Sequence, residues 1–183
     1  MRDVARAAAV PLGLVTYYFS TKDHLLEQVI GRRAGELNAR REAALEAADT
    51  SVAENVTRAF VEPLLELVFE GGEGWRAYTL LIVRANQSPV LSDLMSRYFN
   101  VTADKFIEAF ARALPNLPYE VCVRGFMMEG TLMLGLISYR RLDTMSHGAV
   151  RSADIKAAYQ YMLSFSRGGW AGLETDFGVT GAS

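Results

Sequence analysis

The strongest constraint in this 183-residue chain is its hydrophobic period. Apolar side chains return every three or four residues in one segment after another, and no run of alternating β-branched residues interrupts them. That period predicts an all-α protein, with proline, glycine and capping residues setting the helix ends. Val4, Ala5 and Ala8 mark a short helix that stops near Ala9–Val10. Pro11 opens a second, because its fixed φ suits the first helical position and its missing N–H costs nothing there. Ser20 and Thr21 supply a cap, with Asp23 in the positive first turn, for a helix striped by Leu25, Leu26, Val29, Ile30 and Leu37 and running to about Ala48.

The cluster Asp49, Thr50 and Ser51 predicts a break. The helix after it carries Val52, Val56, Phe60, Leu64 and Leu67, with a kink expected at Pro63. A loop is predicted over Gly71–Gly74, then a helix through Trp75, Tyr78, Ile82 and Ala85 that Ser88 and Pro89 stop. A long helix spans about Val90 to Leu114 and ends at Pro115 and Pro118. Tyr119–Leu142 is the most apolar helix and Ala153–Ser166 the last, with Gly168 and Gly169 opening a frayed, glycine- and serine-containing tail.

Composition narrows the class. Half the residues are apolar and 22% are charged, which excludes a largely disordered chain. Net charge is −2, but Arg2, Arg6, Lys22, Arg32 and Arg33 against Asp3, Asp23 and Glu27 make residues 1–33 net +2 and leave the remainder at −4. Cys122 has no second cysteine to pair with, as suits a reducing compartment. No uninterrupted apolar stretch reaches the roughly 18–20 residues of a bilayer span, and Glu129 breaks the most apolar run. Asp3, Arg6, Pro11 and Gly13 spoil any signal-peptide pattern, so the expected location is the cytoplasm, without membrane contact. The two histidines, His24 and His147, stand far apart, and there is no Glu-x-x-His pair, Cys-x-x-Cys pair or glycine-rich phosphate loop. No catalytic residue, metal site or cofactor is expected.

Two short helices joined by a tight turn within the first 20 residues have the layout of a helix-turn-helix. On the wheel of the second, Val15, Tyr18 and Phe19 share the side expected to pack inward. Gly13, Thr16 and Tyr17 share the other, flanked by Leu12 and Leu14. Small or hydrogen-bonding residues in the first turns suit contact with base edges, and a tyrosine hydroxyl suits phosphate. Lys22, at the next helix start, would add a phosphate contact.

Residues 9–30 resemble the end of the DNA-binding domain of the TetR family of transcriptional regulators. Val10, Gly13, Phe19, Lys22 and Leu25 match the family pattern, and Val15 takes a leucine place. Tyr17 sits where an aromatic phosphate contact is usual, Thr16 replaces a common tyrosine and Ala9 a turn glycine. If the turn needs φ > 0 at Ala9, the alanine costs about 1 kcal/mol. The resemblance covers residues 2–30 and implies Arg2, Leu12, Gly13, Thr16 and Tyr17 near bases or backbone, with Lys22 on phosphate. The family carries another helix ahead of the position of Met1, so it also implies a DNA-binding unit whose first helix is missing. A truncated relative that dimerises and binds a ligand without robust DNA binding stays open beside the regulator.

For the rest of the chain the resemblance implies a division into a helix-turn-helix region with its connecting helix, 1–48, and a ligand-binding and dimerisation bundle, 49–183. Pocket candidates are Trp75, Tyr78, Phe106, Phe126, Met127 and Met133, with Arg84, Asn86 or Glu129 as polar anchors. Gly125, Gly130 and Gly135 each cost a helix interior about 1 kcal/mol relative to alanine, which close approach of another helix or of a ligand would offset. Gly130 and Gly135 with Tyr139, Tyr159, Met162 and Phe165 form the expected homodimer seam. The implied partners are a double-stranded DNA operator, a second copy of the chain and a small apolar effector. Residues 75–148 are faintly similar to sensors tied to fatty-acid metabolism, which implies a fatty-acid or acyl derivative.

Overall fold

Thr21 starts the helix on which the rest of the chain is built. Its side-chain oxygen accepts from the backbone N–H of His24 at 3.1 Å, satisfying one donor that the first turn leaves open. In the computed structural model, which describes residues 1–139 and 141–179, every regular element among the described residues is helical. The order is α1 (Arg2–Ala7), α2 (Leu12–Tyr18), α3 (Lys22–Ala47), α4 (Ala53–Glu70), α5 (Gly72–Asn86), α6 (Ser92–Ala113), α7 (Tyr119–Ser138), α8 (Leu142–Met145) and α9 (Ile155–Phe177). A 3-10 turn, Pro89–Leu91, leads into α6.

Three boundaries differ from the periodicity. The loop expected over Gly71–Gly74 shrinks to Gly71, because Gly72 at φ 66° reverses the chain in one step and α5 begins there. The most apolar helix ends at Ser138 rather than Leu142. The last helix does not fray at Gly168 and Gly169 but continues to Phe177, and the tail from residue 180 lies outside the described residues. Tertiary packing overrides the glycines, because the ring of Trp170 stacks on Phe110 with centroids 4.2 Å apart.

Ile30, Ala34 and Leu37 form the buried stripe of α3, which lies against α4, α5 and α6. The bundle core therefore takes in the connecting helix, with Val56, Val61 and Val68 of α4 and Phe106 and Phe110 of α6 fully enclosed. Each such side chain contributes roughly 1.5–3 kcal/mol by leaving water. One helix, Tyr119–Ser138, is by length and composition apolar enough to cross a membrane. Here it packs against α5, α6 and α9.

α7 and α9 meet where a Cβ on Gly125 would run into the indole of Trp170 and stand 3.2 Å from Leu173 Cδ1. At Gly130 and Gly135 an added Cβ would meet nothing within 4 Å. Beside Gly125, the Oε2 of Glu129 accepts from Ser166 Oγ at 2.6 Å and Trp170 Nε1 at 3.3 Å, while its buried Oε1 has no partner. α1 and α2 pack on each other, burying Ala5 and Val15, and share little with the bundle. Tyr18, expected inward, is exposed, because its ring packs edge to face on the outward ring of Tyr17 instead. Ala9 holds φ 53°, the conformation that glycine adopts without steric cost.

Three outcomes follow from this packing. Gly125→Ala should destabilise the fold by about 1–3 kcal/mol through overpacking, while Gly130→Ala should stabilise by up to about 1 kcal/mol, both read by urea unfolding. Ala9→Gly should strengthen the α1–α2 pair by about 1 kcal/mol, seen as slower amide exchange in those helices alone. Burial pushes the Glu129 carboxyl up, against the smaller downward pull of its bonds from Ser166 and Trp170. The folded chain thus holds that proton more tightly than the unfolded one, and stability falls as pH climbs above the ordinary 4.5. Calorimetry should find Glu129→Gln close to wild type near pH 4 and about 1 kcal/mol more stable near pH 7.5. A loss of stability at the higher pH would show that the carboxylate itself supports the fold.

Candidate functional site

Five helices, α3 to α7, enclose a cavity of about 740 Å³, within the range of small-molecule pockets. Its inner wall is apolar and aromatic: Leu37, Phe60, Leu64, Tyr78, Ile82 and Phe126. The rings of Phe60 and Phe126 meet edge to face at 4.7 Å. Its rim is polar and exposed, formed by Asn86, Gln87, Ser96, Asn100 and Thr131. Gly130 and Gly135 border it, so the α7 glycines divide their roles. Gly125 admits the indole of α9, while Gly130 and Gly135 leave room beside the cavity.

One feature of the inner wall escaped the sequence reading. Arg41 of α3 is only 4% exposed. Its Nε donates to the Phe60 carbonyl at 2.9 Å, its Nη2 reaches Met133 Sδ at 3.2 Å, and the guanidinium lies 4.0 Å from the centre of the Phe60 ring. Burial lowers Arg41 from the ordinary guanidinium range to about 9, against a smaller opposing effect of Tyr78, and it is still a cation at neutral pH. A ring face offers such a cation about 2 kcal/mol, less than the several kcal/mol that burial of an unpaired ion costs. The signal lay in the spacing. Arg41 stands four residues after Leu37 on the stripe of Ile30, Ala34 and Leu37, a place where a core residue is expected.

The predicted pocket residues separate into two groups. Tyr78, Asn86, Phe126, Met127 and Met133 line the cavity. Trp75, Arg84, Phe106 and Glu129 do not. Trp75 is turned toward Arg33, whose guanidinium sits 4.7 Å from its ring, and Arg84 points to solvent. Phe106 is sealed behind Phe60 with ring centroids 5.2 Å apart, and Glu129 faces α9. Helical spacing alone could not separate these faces, because α5 and α7 bury more than one side.

The predicted seam also divides. Met162 is buried inside its own chain, and the half-buried Tyr159 donates its hydroxyl to Glu62 at 2.7 Å within the chain. Gly130 and Gly135 belong to the cavity border. Tyr139 is half-exposed and Phe165 is 70% exposed. Tyr161, which periodicity did not single out, is 77% exposed. With Phe165, Gly168 and Gly172 it makes a continuous outward stripe on α9, aromatic at one end and bare backbone at the other.

At the other end of α3, all six residues of the predicted DNA-facing set are at the surface: Arg2, Leu12, Gly13, Thr16, Tyr17 and Lys22. Tyr17 is 81% exposed and packs edge to face on Tyr18. The Thr16 hydroxyl donates back to the helix, 3.1 Å from the carbonyls of Leu12 and Gly13, and keeps its acceptor side outward.

Against known families, residues 58–169 match the model described as the tetracyclin repressor-like C-terminal domain. The stretch runs from within α4 to within α9 and holds most of the cavity wall. No curated protein matches the chain. The match lies wholly outside residues 2–30, so the two signals are independent of one another. With more than half of its length in that match, the chain belongs to the tetracyclin repressor-like family of transcriptional regulators, of which it carries the C-terminal regulatory domain.

Proposed function

We propose that the chain is a homodimeric, ligand-responsive DNA-binding regulator, a repressor that a small apolar effector releases from its operator. The observation that carries this reading is the continuity of α3. Its first residue, Lys22, follows the end of α2 at Tyr18 by four residues, and nineteen residues further on Arg41 stands in the cavity wall. A helix of this length spans roughly 1.5 Å per residue, so a tilt imposed at the cavity moves α2 as a lever. An effector that fits one tilt better than the other shifts the population by that difference in affinity alone.

On DNA, the two copies of α2 would enter successive major grooves about 34–36 Å apart on a near-palindromic operator. Tyr17 and Lys22 would hold phosphate, while Arg2, Leu12, Gly13 and Thr16 would lie near bases or backbone. The second copy would cover the Tyr161, Phe165, Gly168 and Gly172 stripe, where the glycines let two helix backbones approach. The protein would act in the cytoplasm by binding, without a chemical step.

Mobility shift on the intergenic DNA beside the gene should give specific, salt-sensitive binding that Tyr17→Ala and Lys22→Ala each weaken about tenfold. Sedimentation should find a dimer that Phe165→Glu converts to a folded monomer. Effector binding without any DNA binding would favour the relative that senses but does not grip an operator.

A further inference from the structure

Among the described residues that line the cavity, Arg41 alone is charged. Among the described residues it pairs with no carboxylate. Its protein partners are one carbonyl and one thioether, the second a weak acceptor, and its Nη1 donates to neither. Tyr78 offers no counter-charge, because burial pushes its phenol up and its hydroxyl donates to the Ile30 carbonyl at 3.4 Å. Three residues before Arg41, and beside it on α3, Asn38 donates its Nδ2–H to the Tyr98 carbonyl at 2.7 Å. A carbonyl can only accept, so the amide is fixed in that sense, and its Oδ1 stays buried without a donor. Among the described residues, an uncompensated cation and, three positions before it on α3, an asparagine with an unanswered buried acceptor thus belong to the lining of an otherwise neutral, largely apolar cavity.

We propose that the effector is an organic acid with an apolar body. Its carboxylate is held by the guanidinium of Arg41, and a hydroxyl or N–H near that carboxylate is held by Asn38. The fork of Nη1 and Nη2 matches a carboxylate, and the bond is charge-assisted where water is scarce. One cation matches one negative charge; a phosphate dianion would leave the second charge buried without a partner. The aromatic wall of Phe60 and Phe126 takes the apolar body. This inference rests on the reading of the cavity as the effector site and adds to it the chemical class of ligand.

Titration calorimetry on the full chain with matched pairs tests it: decanoate beside decan-1-ol, and 4-phenylbutyrate beside 4-phenylbutan-1-ol. The acid of at least one pair should bind at least about tenfold tighter than its alcohol. Arg41→Met should erase that ratio and leave the alcohol's affinity in place, and Arg41→Lys should keep part of it. Equal affinities for acid and alcohol in both pairs, or an acid preference that survives Arg41→Met, would overturn the proposal and leave the cavity reading standing. Binding of none of the four would overturn both. Should Arg41→Met fail to fold, the wild-type ratio and Arg41→Lys decide. Either 2-hydroxydecanoate or 3-hydroxydecanoate should bind severalfold tighter than decanoate to wild type and not to Asn38→Leu; equal affinities would remove Asn38 from the site.

Discussion

The contact between Arg41 and Phe60 holds the centre of this molecule. It joins α3 to α4 through a hydrogen bond and a ring face, and through Met133 it reaches α7. Three helices that would otherwise meet through interchangeable aliphatic packing are thereby given one register. Pro63 adds to this arrangement. It removes the helical donor to the Ala59 carbonyl, next to the carbonyl on which Arg41 settles. A hydrophobic residue at position 41 would fill the same space at lower desolvation cost. The cation thus serves the cavity beyond what the fold alone requires.

Around that centre, large and small residues decide where helices touch and where they stay apart. Gly125 lets Trp170 lie against α7 and stack on Phe110, and this contact carries α9 past its own glycines. Gly130 and Gly135, further along the same helix, remove bulk from the cavity border. The same residue type on one helix thus closes one face and opens another. The difference comes wholly from what the neighbouring helix presents.

The two ends of α3 differ in how firmly they are held. From Ile30 onward it lies in the bundle core, while α1 and α2 bury only Ala5 and Val15. A small contact of this kind opens at low free energy, and it leaves the outward residues of α2 free to dock as a unit. The positive φ at Ala9 adds a local cost to the turn that glycine would avoid. Stability is thus concentrated around the cavity and scarce at the surface helix pair.

Much of this was legible from the chain alone. Apolar period, proline and capping residues determined an all-helical fold and the start of α3 at Thr21, because those signals act within a turn or two of backbone. The spacing of residues 2–30 pointed to the family on which the match at 58–169 independently converges. Only the tertiary structure decided which way each buried face looks. Tyr78 and Trp75 lie one turn apart on α5, yet one lines the cavity and the other a crease against Arg33. Glu129 and Met133 divide in the same way on α7, and Met162 was claimed by its own chain rather than by a partner. The physical reason is common to all of them. Helical periodicity reports that a side chain leaves water, whereas what it meets there is set by helices far away in sequence, and Arg41 stood out only once those helices were in place.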